Sequence, residues 1–83
     1  MSKRHTVRLQ ITDAAPIAFV LCAGCYWSEG YRFGTIELRR HSHGGWLAIL
    51  NSSDERFYGV AKRGGTMLEA ATSLVDAVSA LNR

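Results

Sequence analysis

The sequence predicts a single α+β domain over residues 1–83: an antiparallel sheet, in the order β-α-β-β-β-α or β-β-β-β-β-α, with a C-terminal amphipathic helix packed on one face. Three observations carry that expectation. Period-two stretches separated by glycine and serine turns fill most of the chain, as half-buried antiparallel strands require. A run with helical period closes it. The length of 83 residues builds one core and no more.

From Thr6 to Thr12 the alternation is strict, with Val7, Leu9 and Ile11 on one side and Thr6, Arg8, Gln10 and Thr12 on the other, which reads as a strand. Thr12 and Asp13 are candidate N-caps for the next segment, and Pro16 suits a first helical turn. The run from Ala14 to Trp27 is apolar on every side, so it must be largely buried. Its length favours a helix, while Gly24, Val20, Tyr26 and Trp27 keep a strand open. Ser28-Glu29-Gly30 reads as a turn, and Tyr31 to His41 as a strand. Ser42-His43-Gly44-Gly45 is a hairpin loop, Trp46 to Asn51 the return strand, and Arg56 to Lys62 a third strand after the polar loop Ser52 to Glu55. The middle of the chain is therefore a three-stranded antiparallel meander.

Gly64-Gly65 breaks the last strand. Thr66 and Glu69 then form a capping box, and Leu68, Ala71, Leu74, Val75, Val78 and Leu81 make one apolar stripe. Such a stripe is consumed by packing on the sheet, so function is expected on the opposite face or on the His41 to Trp46 hairpin, and Thr66 serves stability.

Composition narrows the function classes. Hydrophobic residues at 47% and charged residues at 20% describe ordinary globular material that needs no metal or disulfide to fold. Two cysteines, Cys22 and Cys25, are too few for the frameworks of small secreted proteins, so a reducing, cytoplasmic setting is expected. Leu21-Cys22-Ala23-Gly24-Cys25 has a lipobox-like look, but Asp13 and the alternation before it argue against an export signal, and the run is too short to span a bilayer. No membrane association is expected.

Cys22 and Cys25 have the spacing of redox dithiols, and with His41 and His43 they add up to four zinc donors. An apolar setting blunts a thiol, and zinc motifs space their histidines more widely, so the cysteines read as small core residues and no cofactor or metal is expected. Carboxylates stand where caps, turns and solvated faces use them, with no catalytic pair, and Gly64-Gly65-Thr66 lacks a phosphate-loop lysine. No enzyme is indicated.

The net charge of +3 favours phosphate backbones or an acidic protein surface as partners. The cations fall in groups: Lys3, Arg4 and His5 in an N-terminal arm, Arg39, Arg40, His41 and His43 along the hairpin, Lys62 and Arg63 before the helix. Arg8 joins them if Arg39 and His41 project to solvent, with Trp46 or Tyr58 as flat contact surfaces. The expected partner-binding residues are thus Arg8, Arg39, Arg40, His41, His43, Trp46, Tyr58, Lys62 and Arg63. A protein partner, such as a nucleic-acid-processing complex, is expected first and nucleic acid itself second.

Within Thr35 to Leu81, the segments Gly44-Gly45-Trp46-Leu47-Ala48 and Gly65-Thr66-Met67-Leu68-Glu69-Ala70-Ala71 resemble the RNase-H-like module of HicB-type antitoxins, without that module's proline-containing loop and acidic strand ends. In size and layout, with no catalytic set, the chain is also similar to small phage-encoded inhibitors of the anti-CRISPR type. That resemblance implies a non-enzymatic module that docks on the protein surface of an effector and blocks its access to nucleic acid. Many such inhibitors are acidic mimics of nucleic acid, and this basic chain departs from that pattern.

Overall fold

The computed structural model describes residues 5–11 and 16–82. The expected caps Thr12 and Asp13, and Lys3 and Arg4 of the arm, lie outside them. Six strands run β1 Thr6–Leu9, β2 Ile17–Cys22, β3 Cys25–Glu29, β4 Thr35–Arg40, β5 Trp46–Asn51 and β6 Ala61–Gly64, followed by α1 Met67–Leu81. They form one antiparallel sheet in simple sequence order, so every connection joins neighbours and the fold is an α+β meander with a single covering helix.

The register assigns the faces. Val7 pairs with Phe19, Phe19 with Ser28, Ile36 with Leu50, and Leu38 with Ala48, and all of these point towards α1. Ile11, Phe19, Ile36, Leu38, Ala48, Leu50 and Phe57 are buried there with Ala70, Ala71, Leu74 and Val78 of the helix. The alternation expected over Thr6 to Thr12 holds as far as Ile11, which is fully buried while Thr6, Arg8 and Gln10 are exposed, although the paired strand ends at Leu9. Ala71, Leu74, Val75 and Val78 of the expected stripe on α1 pack as expected, and Met67 and Ala70 join them, whereas Leu68 and Leu81 are exposed.

Three expectations are corrected. The run from Ala14 to Trp27 is not a helix beyond Pro16 but the hairpin of β2 and β3, turning at Ala23 and Gly24, whose φ values are 53° and 82°. Two consecutive positive φ values make a hairpin turn that follows the strand twist, and glycine occupies the second without steric cost. Pairing to β1 on one side and β4 on the other satisfies the backbone of this run, which outweighs the length argument for a helix. The all-strand order therefore holds, with this run supplying two strands.

The strand expected over Arg56 to Lys62 begins instead with a 3₁₀ turn, Glu55–Phe57. Asp54 caps it, accepting from the Arg56 N–H at 3.0 Å, and a local side-chain bond of this kind competes with strand pairing. Buried Phe57 fixes the turn by stacking edge-on to Phe33, with centroids 5.3 Å apart. Gly64, expected to end the strand, belongs to it and pairs with Trp46. A Cβ there would strike the backbone nitrogen of Ala70, so only glycine lets α1 lie this close to β6.

The third correction concerns the cysteines. They are not core residues: they close the β2–β3 turn on the face away from α1, Cys22 exposed and Cys25 half-buried.

Candidate functional site

The antiparallel order brings one end of β4, the loop 41–45, the start of β5 and the end of β6 together. Arg39 pairs with Leu47 and Leu47 with Arg63, so the two arginines flank β5 on the face away from α1. Arg40 pairs with Trp46 and Trp46 with Gly64 on the other face. Lys62 lies one residue further back on the edge strand, exposed and paired with Ala48. Four permanent cations thus crowd the end of three adjacent strands.

The loop adds two imidazoles. Its backbone is closed by bonds from the His41 N–H to the Gly45 carbonyl at 3.1 Å and from the Gly44 N–H to the His41 carbonyl at 3.0 Å. The His43 N–H donates to His41 Nδ1 at 3.1 Å, and the two rings lie 5.6 Å apart. The His41 pKa is lowered from its ordinary 6.5, first by desolvation and then by the positive charge of Arg63 and of His43. Acceptance at Nδ1 acts in the same direction, since a protonated ring has no acceptor there. A shallow groove runs between His43, Gly44 and Gly45 on one side and Arg63, Gly64 and Gly65 on the other.

On the helix side the same end carries a ladder of rings. His5 meets Tyr26 at 5.8 Å, Tyr26 meets Trp46 edge-on at 6.2 Å, and the Arg40 guanidinium lies 5.1 Å from the Trp46 centroid. Trp46 is therefore already stacked beneath Arg40 and steadies that cation. Nearby carboxylates are few. Glu37 pairs with Arg39 at 3.7 Å, and Glu69 accepts from the Gly65 N–H at 3.4 Å.

Seven of the nine expected residues meet here: Arg39, Arg40, His41, His43, Trp46, Lys62 and Arg63. Arg8 does not join them, because β2 and β3 separate its strand from β4. Tyr58, which is 65% exposed, follows the 3₁₀ turn in the β5–β6 connection, at the opposite end of the sheet. Nor does Trp46 share a face with Arg39. His5 and Tyr26 were not expected at the site, and the spacing of sequence-distant strands held no signal for them. Only the pairing order seats them beside Trp46.

The chemistry available is recognition of negative charge. Guanidinium forks and imidazoles at this density suit carboxylates or phosphates. Among the described residues no three or more metal donors converge. The Cys25 thiol is pushed up by burial and by the Glu37 carboxylate to which it donates, opposite to the activation a redox dithiol requires. No helix among the described residues is long and apolar enough to cross a membrane. Comparison with family models, curated proteins and solved structures found no match for the chain.

Proposed function

We propose that this protein is a small non-enzymatic interaction module that docks on an acidic surface of a protein partner through the cationic end of its sheet. The observation that carries this reading is the convergence of Arg39, Arg40, Lys62 and Arg63 around His41, whose pKa is lowered first by desolvation and then by the charge of Arg63 and His43. Like charges gathered at one place repel one another, and a partner of opposite sign relieves that cost. The patch is compact, confined to the ends of β4, β5 and β6, with Arg8 standing apart. A compact patch matches a cluster of carboxylates better than the long phosphate track of a duplex. The more specific role implied by the resemblance to phage-encoded inhibitors is to cover an effector's protein surface and so exclude nucleic acid.

A second reading, direct nucleic-acid binding, is favoured by the same four cations. Fluorescence anisotropy with a labelled polyglutamate peptide and a labelled DNA duplex, at low and at physiological salt, separates the two. The reading predicts saturable binding of the peptide that Arg63→Glu and Arg40→Glu each weaken about tenfold, from the loss of a charge-assisted pair. Tighter binding of the duplex, with a steep loss on adding salt, supports the second reading. Absence of binding to either probe at low salt sinks both.

A further inference from the structure

We infer that the sheet face turned away from α1 is closed by a second copy of the chain, giving a helix–sheet–sheet–helix dimer. An unbroken cross-strand row crosses that face on all six strands: Thr6, Val20, Trp27, Glu37, Ile49 and Ala61. Ala18 and Leu47 add apolar surface in the rows on either side. Among the described residues no element covers them, because the helix contacts β4, β5, β6 and the 3₁₀ turn on the other side.

The sequence of the inner strands already has the pattern of double burial. β2 reads Ile-Ala-Phe-Val-Leu-Cys and β5 reads Trp-Leu-Ala-Ile-Leu-Asn, apolar on both faces, whereas a sheet with one wet face alternates. The outermost strands bring Arg8 and Arg63, and the Glu37–Arg39 pair on β4 stands between the apolar residues of β2 and β3 and those of β5. Val20 with Trp27, and Ile49 with Leu47, thus gather apolar side chains on either side of one ion pair, a surface on which a partner docks.

Charge and area select the second copy as the occupant. The face carries Arg8, Arg39 and Arg63 against Glu29 and Glu37, close to balance, unlike the cationic end. It attracts a polyanion less than the cationic end does, and it supplies both signs to a copy of itself. Its inner acid is already paired, Glu37 with Arg39 at 3.7 Å, so covering it strands no lone charge. Six strands about 4.8 Å apart and three rows of side chains give a footprint of about 24 Å by 20 Å, or about 480 Å². Two such faces give about 960 Å² before side-chain relief is added, close to the roughly 1,000 Å² that a specific interface needs. Packing two sheets face to face at about 10 Å is the ordinary geometry of a β-sandwich.

The docking reading shares Arg39 and Arg63 with this face, but the two are tested by different variants and assays. Light scattering coupled to size-exclusion chromatography on the full chain, over a range of concentrations, tests it. The expected mass is twice the 9.2 kDa chain, falling to one chain for Ile49→Glu with an unchanged far-ultraviolet circular dichroism spectrum. Val20→Thr is the gentler variant if Ile49→Glu fails to fold. It removes apolar burial once per copy, hence twice per dimer, and should weaken association by about tenfold or more. A wild-type chain that stays monomeric at every concentration overturns the inference, and so does a dimer that neither substitution loosens. Peptide binding is read in a separate assay, so the dimer and the docking surface fail or hold separately.

Discussion

Ser28 Oγ, buried in the sheet, accepts a hydrogen bond from the backbone N–H of Ile36 at 2.7 Å, joining β3 to β4 where their paired register has ended. The register between these strands comprises only Tyr26 with Leu38 and Trp27 with Glu37. A serine facing the core beside Phe19 would be costly without a partner, and here it serves a backbone donor that lacks one. Ser28→Ala leaves that donor unsatisfied and should destabilise the chain by about 1–3 kcal/mol. Urea unfolding checks this, and an unchanged midpoint would show that the bond does not hold the two strands together.

At Gly64 the sheet and the helix come into close approach. Because a Cβ there meets the Ala70 nitrogen and Glu69 backbone, Gly64→Ala must push α1 away from β6 and open the Ala70, Ala71 and Leu74 packing. The expected loss is at least about 2 kcal/mol, or roughly 8 °C or more in Tm for a domain of this size. Gly65→Ala, whose Cβ would make only ordinary contacts with the Glu69 carboxylate, should cost clearly less in the same thermal scan.

Thr66 caps α1 by accepting from the Glu69 N–H at 3.1 Å, while the Glu69 carboxylate reaches back to the Gly65 N–H at 3.4 Å. Thr66→Ala should lower stability by about 1 kcal/mol and Thr66→Ser by much less. Neither should change peptide binding, since the cap lies behind the groove and not in it.

His41 gives the site a pH dependence whose sign is set by its environment. Its folded pKa lies below the ordinary 6.5, so between the two values the unfolded chain binds more protons. The stability it contributes is fully present above pH 6.5 and is lost as pH falls through 6.5 towards the folded value. Arg63→Gln removes one of the charges that lower it, so the His41 midpoint followed by NMR should rise and the acid-side loss should shrink. A midpoint that stays put or falls would mean that Arg63 does not act on the ring.

The features legible in the sequence were those set by local chemistry. The capping box at Thr66, the β4–β5 hairpin around Gly44 and Gly45, and the alternation of Val7, Leu9 and Ile11 need only neighbours in the chain. The hairpin of β2 and β3 was hidden because Ile17 to Trp27 is apolar at helical and strand spacing alike, and only pairing to β1 and β4 decides between them. β6 was displaced because Asp54 captures Arg56 locally, a bond that a propensity for Phe57 and Tyr58 to extend does not reveal. At the site, the residue types on the hairpin were readable. That Leu47 would carry Arg63 to Arg39, and that Arg8 and Tyr58 would fall elsewhere, depends on strand order, which is a tertiary property.

The docking account is tested most directly by mapping where a polyanion touches. Titrating the ¹⁵N-labelled chain with polyglutamate peptide should shift the amide signals of Arg39 to Trp46 and of Lys62 to Gly65 together, raise the His41 pKa, and leave Arg8 and Tyr58 unmoved. Shifts centred on Arg8, on Tyr58 or on the Val20, Trp27 and Ile49 face, with the strand ends silent, would contradict it.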